Sequence, residues 1–124
     1  MKILVFENQL STVQPSFSCV NAAFFNDTLV IDYLQKSQDL KPFKKIEEYE
    51  YVFIDISLAP NSSLDGIGIL KKINEEKLKV INPIILTGDS RIKEKLEKNG
   101  IFNIPVLYKP IDFMELKEIM SKNN

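Results

Sequence analysis

The sequence contains no histidine and no tryptophan, only one cysteine and only four glycines among its 124 residues. Without histidine the chain lacks the commonest general base and metal ligand of proteins, and a single cysteine forms no internal disulfide. No apolar stretch approaches the roughly 18 residues that a membrane-spanning helix needs. Sixteen Lys and Arg nearly balance seventeen Asp and Glu, so no excess of positive charge favours binding to nucleic acid or to an anionic membrane.

The rest of the composition is that of an ordinary globular protein. Hydrophobic residues make up 44% of the chain and charged residues 27%, which excludes disorder as the main state. The length fits one domain, and we expect that domain to span residues 1–124. Met1 to Phe6 runs straight into a strand-like segment, without the long apolar region and cleavage site of a signal peptide, so we expect a cytoplasmic location.

Short apolar runs predict the strands of a sheet. Four of them are typical of strands that are buried on both faces: Ile3 to Phe6, Tyr51 to Ile56, Ile84 to Leu86 and Ile104 to Tyr108. A fifth run, Leu29 to Leu34, includes Asp32 among β-branched and aromatic residues. This mixture predicts a strand at the edge of the sheet.

Segments with helical spacing separate the apolar runs. Asp65 predicts the N-cap of one helix, and Asp89-Ser90 the N-cap of another that ends at Asn99-Gly100. The other candidates are Ser16 to Phe25, which fits either a helix or an irregular turn, a short helix within Gln38 to Glu47, and Phe113 to Met120. Strand and helix alternate five times, which predicts an α/β fold with a doubly wound, five-stranded parallel sheet.

A polar residue stands at the end of each confident strand. Glu7 and Asn8 follow the run that ends at Phe6, Asp55 lies within the run from Tyr51, Thr87 follows the run that ends at Leu86, and Lys109 follows the run that ends at Tyr108. Ligands of open parallel sheets bind at the carboxyl ends of the strands, so these residues are the candidate site. A carboxylate at the end of a buried strand needs a cation beside it, and the candidates are Lys109 and a bound Mg²⁺.

These residues also carry a family resemblance. In order, Val52-Phe53-Ile54-Asp55, Asp65-Gly66, Leu86-Thr87-Gly88 and Lys109-Pro110 resemble the receiver domain of bacterial two-component response regulators, over nearly the whole chain. The resemblance implies a flavodoxin-like (CheY-like) alternation of strands and helices. It implies that Asp55 is the phosphoacceptor, that the Thr87 hydroxyl bonds the phosphoryl group and that Lys109 is its counter-ion, with a cis peptide bond before Pro110.

The resemblance also implies a metal and partners. Mg²⁺ would be held by Glu7, Asn8, Asp55 and the backbone carbonyl of Ser57. A stand-alone receiver would take its phosphoryl group from a separate histidine kinase or phosphotransfer protein, since this chain has no histidine of its own. It would catalyse no reaction beyond its own phosphorylation and dephosphorylation. It would signal to a downstream protein through the segments Arg91 to Lys98 and Asp112 to Lys122, and we expect no nucleic-acid or membrane ligand.

Three features depart from the family pattern. Asn8 stands where a second acidic residue is usual, so the ionised pocket of Glu7, Asp55 and Lys109 sums to −1 instead of −2, and we expect weak binding of Mg²⁺. The loop from Asp55 to Gly66 is a few residues longer than the commonest version. Val106 replaces the aromatic residue that usually takes part in switching, and Tyr108 is no direct substitute because it lies nearer the strand end.

Two other functions fit parts of the pattern. In a pseudo-receiver, Asp55 would be a structural carboxylate paired with Lys109, and the chain would bind partners without phosphoryl chemistry. A phosphatase of the haloacid-dehalogenase kind also uses an aspartate at a strand end as nucleophile, but it needs a second aspartate two residues later. Ser57 occupies that position and disfavours this alternative.

Several apolar side chains are predicted to lie in the core rather than to contact partners. They are Cys19, which we expect to behave as a small hydrophobic residue, and the pairs Phe24-Phe25 and Phe113-Met114.

Overall fold

A computed structural model describes residues 1–122 of the chain. Its five strands form one parallel sheet in the order β2-β1-β3-β4-β5. The strands are β1 (Lys2–Phe6), β2 (Val30–Leu34), β3 (Tyr51–Asp55), β4 (Pro83–Thr87) and β5 (Val106–Tyr108). The five predicted strands are confirmed within two residues at each end, and β2 lies at an edge as predicted.

Four α-helices connect or follow the strands: α1 (Gln14–Phe24), α2 (Gly66–Glu75), α3 (Ile92–Lys98) and α4 (Phe113–Lys122). Asp65 caps α2 as predicted, because its Oδ1 accepts a hydrogen bond of 2.7 Å from the backbone N–H of Gly68. The predicted cap of α3 is wrong. Asp89 accepts from the backbone N–H of Arg91 at 2.9 Å, and Arg91 is itself the N-cap residue, without a side-chain hydrogen bond.

The connection from β2 to β3 differs from the prediction. The expected helix within Gln38 to Glu47 is absent, and two 3₁₀ turns, Ser37–Asp39 and Phe43–Glu48, stand in its place. Pro42 separates them; proline has no backbone N–H to donate and disfavours helical backbone in the residue before it. The regular alternation of strand and helix is therefore interrupted once, at the second crossover.

The sheet is covered on both faces. One face packs against α1 and α4, and the other against the second 3₁₀ turn, α2 and α3. All side chains of β3 are buried, as are those of β1 after its first residue. The prediction of two buried faces is wrong for β5, the edge strand of the described sheet, where Val106 is half-buried and Tyr108 is 37% exposed.

Some predicted core residues lie at the surface. Cys19 is exposed because it follows the buried Phe17 by two positions, roughly 200° around the helix. Phe24, Phe113 and Met114 are each at least 40% exposed, so for them the core prediction is wrong, while Phe25 is half-buried and packs against the core. No helix between residues 1 and 122 has the length and apolar character that crossing a membrane requires.

Candidate functional site

The carboxyl ends of four strands bring the predicted site residues together. Glu7 follows β1, Asp55 ends β3, Thr87 ends β4 and Lys109 follows β5. Glu7 is fully buried, and Asp55 and Thr87 are each 4% exposed. The peptide bond between Lys109 and Pro110 is cis, as the resemblance implied. The site thus consists of buried polar groups at the end of an otherwise apolar sheet.

The ammonium group of Lys109 joins the two carboxylates. It donates a hydrogen bond to Glu7 Oε1 and another, of 2.9 Å, to Asp55 Oδ2. Backbone N–H groups cover the remaining carboxylate oxygens, since Asn8 donates to Glu7 Oε2 at 3.0 Å and Ser57 donates to Asp55 Oδ1 at 3.0 Å. Such partners offset the cost of removing two carboxylates from water.

Burial and charge shift the proton affinities of this pocket. Burial, reinforced by the neighbouring Asp55, raises the pKa of Glu7 to about 7, although Lys109 acts in the opposite direction. Desolvation lowers the pKa of Lys109, but its hydrogen bonds to Glu7 and Asp55 outweigh this and leave the pKa above its usual value. Near neutral pH, Glu7 therefore exchanges a proton, and when it is protonated the charges of the pocket sum to zero.

Thr87 ends the strand next to the one that carries Asp55 and is oriented by the loop after β4. Its Oγ1 accepts a hydrogen bond of 3.1 Å from the backbone N–H of Asp89, and its carbonyl accepts one of 2.8 Å from the backbone N–H of Lys109. Since Thr87 Oγ1 is an acceptor in the first bond, its own proton can be donated to an anion in the pocket.

Gly66 packs directly against the backbone of Asp55 and Ile56. A Cβ at this position would lie 2.4 Å from the carbonyl oxygen of Asp55 and 2.6 Å from Cα of Ile56, so only glycine fits. The backbone N–H of Gly66 also donates to the Ile56 carbonyl at 3.1 Å, which brings the two ends of the long loop together. Reasoning from the sequence singled out Asp65-Gly66 only as part of a motif and missed this packing role.

The predicted Mg²⁺ ligands offer a suitable but weak donor set. Glu7 and Asp55 face the same ammonium group and hence the same space, while Asn8 is half-buried and Ser57 is exposed. Carboxylate, amide and carbonyl oxygens are the donors that Mg²⁺ prefers. Among residues 1–122, no group of three or more His, Cys, Asp and Glu side chains is placed to hold a metal. Magnesium binding by Glu7, Asn8, Asp55 and Ser57 stays a prediction.

Val106 packs against the core on the α2 and α3 side of the sheet and lines a groove that shares no lining residue with the pocket. It lines a cavity of about 300 Å³ together with Leu96 of α3 and the segment before β5. Phe102, in that segment, is 62% exposed. Sequence reasoning missed Phe102, although an aromatic residue outside any predicted strand or helix was a signal for an exposed apolar position.

Similar proteins are found by comparison of structures and not by comparison of sequences. No family model matches the sequence, and no curated protein matches it either. The structure is similar to the receiver domain of the Francisella response regulator 1452, with a TM-score of 0.68 and 20% identity over 98% of this chain and 94% of that one. A LuxR-family DNA-binding response regulator from Staphylococcus aureus has a TM-score of 0.73 and 21% identity, over 99% of this chain and 98% of that one.

A third similar structure is the receiver domain of NtrX from Brucella abortus, with a TM-score of 0.71 and 17% identity over 98% of this chain and 96% of that one. The match extends over almost the whole length of all three structures. The described five-stranded parallel sheet with helices on both faces agrees with it. The chain therefore has the CheY-like fold of response-regulator receiver domains.

Proposed function

We propose that this chain is a receiver that accepts a phosphoryl group on Asp55 from a histidine kinase or phosphotransfer protein. The observation that carries the proposal is the contact of the Lys109 ammonium with both Asp55 and Glu7, at the strand ends of a receiver-domain fold. A buried aspartate with a lysine beside it has the two groups that phosphoryl transfer to a carboxylate requires, a nucleophile and a fixed positive charge.

The transfer is a displacement at phosphorus. A carboxylate oxygen of Asp55 forms the new bond to phosphorus while the bond from phosphorus to the donor nitrogen breaks, which leaves an acyl phosphate here and a neutral histidine on the donor. Lys109 neutralises negative charge on the transferred oxygens, and Thr87 donates its hydroxyl proton to one of them. Lys109 already donates a hydrogen bond to Asp55, and the Thr87 hydroxyl is oriented by the backbone N–H of Asp89 at the end of the neighbouring strand.

Magnesium belongs to the same proposal. Glu7 and Asp55 would hold it with the side-chain oxygen of Asn8 and the carbonyl of Ser57. When bound, Mg²⁺ neutralises charge that spreads over the phosphoryl oxygens. Because Asn8 carries no charge and Glu7 competes for a proton near pH 7, we expect the affinity for Mg²⁺ to be low and to increase with pH.

The receiver would signal by binding a downstream protein. We assign this contact to α3, to the segment 112–122 and to the groove that Val106 and Phe102 line, since these parts carry charges of both signs and the exposed rings of Phe102 and Phe113. A cytoplasmic location and the absence of nucleic-acid and membrane ligands stay predictions.

A small-molecule phosphodonor tests the proposal. Wild-type protein incubated with acetyl phosphate and Mg²⁺ should gain the mass of one phosphoryl group, and Asp55→Asn should gain none. Asp32→Asn is the matched control, because Asp32 lies on the edge strand and bonds Tyr49, outside the pocket; it should gain the same mass as wild type. No gain in wild type, or an equal gain in Asp55→Asn, would refute the proposal.

A second candidate function is a pseudo-receiver that binds partners without phosphoryl transfer. The closed pairing of Lys109 with both carboxylates favours it, because this pocket has no excess negative charge once Glu7 is protonated. Under this alternative, Asp55→Ala would bind a partner as wild type does, and Mg²⁺ at millimolar concentration would leave the pocket unchanged. Loss of partner binding in Asp55→Ala would favour the phosphoacceptor.

A further inference from the structure

The long loop after Asp55 is fastened to the connection that follows β2. Residues 61–64 of the loop face Ser37 and Gln38 at the first 3₁₀ turn, and we call the hydrogen-bonded group of these residues the clamp. Ser37 is only 3% exposed, which is unusual for a serine in a connecting segment. The clamp forms where a helix was expected and where the loop departs from the usual length.

The hydroxyl groups of the clamp have one consistent assignment of protons. Ser62 Oγ accepts from the backbone N–H of Ser37 at 2.9 Å and donates to the Leu64 carbonyl at 2.6 Å. Ser37 Oγ accepts from the backbone N–H of Leu64 at 2.9 Å, and its own proton then points to Gln38 Oε1 at 3.4 Å. Each hydroxyl therefore uses its single proton once and accepts once.

The side chain of Gln38 completes the clamp from the outside. Its Nε2 donates to the Asn61 carbonyl at 2.8 Å, and its Oε1 accepts from the backbone N–H of Ser63 at 2.8 Å. One amide thus binds two backbone groups of the loop, much as a neighbouring strand would. Together with Ser37, it fixes the middle of the loop at four successive residues.

Both ends of the same loop meet at the phosphoacceptor. The backbone N–H of Ser57 donates to Asp55 Oδ1, and that of Gly66 donates to the Ile56 carbonyl. Residues 57–60 therefore lie between two fixed points, the carboxylate of Asp55 and the clamp. If the clamp opened, residues 57–60 would keep their anchor at Asp55 and lose the one at residues 61–64, although Gly66 would still hold the end of the loop.

From this arrangement we infer that Ser37 and Gln38 are positioning residues that prolong the lifetime of the phosphoryl group on Asp55. The inference rests on the proposed function. In hydrolysis, the oxygen of a water molecule bonds to phosphorus and the bond from phosphorus to the Asp55 oxygen breaks, which releases inorganic phosphate and restores the carboxylate. The clamp slows this step by holding the loop against the site, without touching the reacting atoms.

The test is the half-life of phosphorylated protein after removal of acetyl phosphate, measured by intact mass at fixed Mg²⁺ concentration and pH. Ser37→Ala and Gln38→Ala should each shorten it by about fivefold, the factor in an equilibrium that one net hydrogen bond represents. Gln38 is partly exposed, so its variant should fold even if Ser37→Ala does not. Ser63→Ala is the matched control, because only the backbone of Ser63 takes part in the clamp.

Tyr49→Phe is a control that distinguishes the effect of a loosened loop on the half-life from the effect of a general loss of stability. It removes the 2.8 Å hydrogen bond from Tyr49 to Asp32 in another part of the molecule and should keep the wild-type half-life. An unchanged or longer half-life in both clamp variants would refute the inference alone, as would an equal shortening in Tyr49→Phe. If wild type takes up no phosphoryl group, the proposed function is refuted and the inference with it.

Discussion

The pocket at the ends of β1 and β3 and the groove beside β5 differ in hydrogen bonding and in burial. In the pocket, the two carboxylates and the lysine are bonded to one another or to the backbone, and both carboxylates are buried. In the groove, Val106 is half-buried and Phe102 is largely exposed, above a cavity of about 300 Å³.

Under the proposed function, this difference separates the site of phosphoryl transfer from the surface that would contact a downstream protein. The pocket has the groups that phosphoryl transfer needs, with one acidic residue replaced by Asn8. In the groove, Val106 stands where the family pattern usually has an aromatic residue. We expect that substitutions in the pocket change stability and phosphorylation together, and that substitutions in the groove change neither.

Loss of Lys109 should have the largest effect. Lys109→Ala leaves two buried carboxylates without their cation, and we expect the free energy of unfolding to fall by about 3–5 kcal/mol near pH 8. Urea denaturation measures this loss. Lys95→Ala, on the exposed side of α3, is the control and should change stability by less than about 0.5 kcal/mol. Equal losses in the two variants would contradict the special role of the pocket.

The raised pKa of Glu7 predicts that the stability of the folded protein depends on pH. Burial raises its pKa from 4.5 to about 7 in the folded state, so the folded protein holds this proton more tightly than the unfolded chain. The resulting stabilisation is complete below pH 4.5 and is lost as the pH rises through about 7. Relative to Glu7→Gln, wild type should therefore lose about 3 kcal/mol between these limits.

Urea denaturation of wild type and Glu7→Gln across this pH range measures the difference. Groups elsewhere titrate equally in both proteins and cancel. A difference that is independent of pH would show that Glu7 titrates near its ordinary value, and it would remove the expected increase of Mg²⁺ affinity with pH.

A substitution at Gly66 tests how closely the backbone packs against Asp55. In Gly66→Ala, the new Cβ meets the carbonyl oxygen of Asp55, which is backbone and must move, so we expect a loss of about 2 kcal/mol and slower phosphorylation. Gly88→Ala is the control, since a Cβ there has no neighbour within 4 Å. Thermal denaturation of both variants decides the matter; a loss in Gly88→Ala as large as that in Gly66→Ala would contradict the packing argument.

The smallest effect is expected in the groove. Phe102→Ser removes an aromatic ring that is 62% exposed, and stability should change by less than about 0.5 kcal/mol. Uptake of the phosphoryl group from acetyl phosphate should match wild type. A marked change in the rate of uptake would show that groove and pocket are coupled, and the contrast between them would then be weaker than we propose.

Prediction from the sequence succeeded where a local signal and the fold agreed. The apolar runs defined the strands, and because parallel strands end at one edge of the sheet, the polar residues after them were expected to meet; Glu7, Asp55 and Lys109 do so. The cap by Asp65 was likewise visible in the sequence. These features depend on neighbours in the chain or on one general property of parallel sheets.

Features that depend on distant contacts were not predictable in the same way. The helix expected after Gln38 is replaced by 3₁₀ turns around Pro42, and Ser37 is buried because its partners lie 25 to 27 residues later. In each case a tertiary contact or a single residue outweighed the average propensity of the segment.

The most direct test of the pocket as a phosphoryl site is an NMR titration with Mg²⁺ and beryllofluoride, which mimics the phosphoryl group on an aspartate. We predict that the backbone amide signals of Ser57, Asp89 and Lys109 shift in wild type and stay unchanged in Asp55→Asn, because these amides bond Asp55, Thr87 or the end of β4. Absence of shifts in wild type, or equal shifts in Asp55→Asn, would contradict the account.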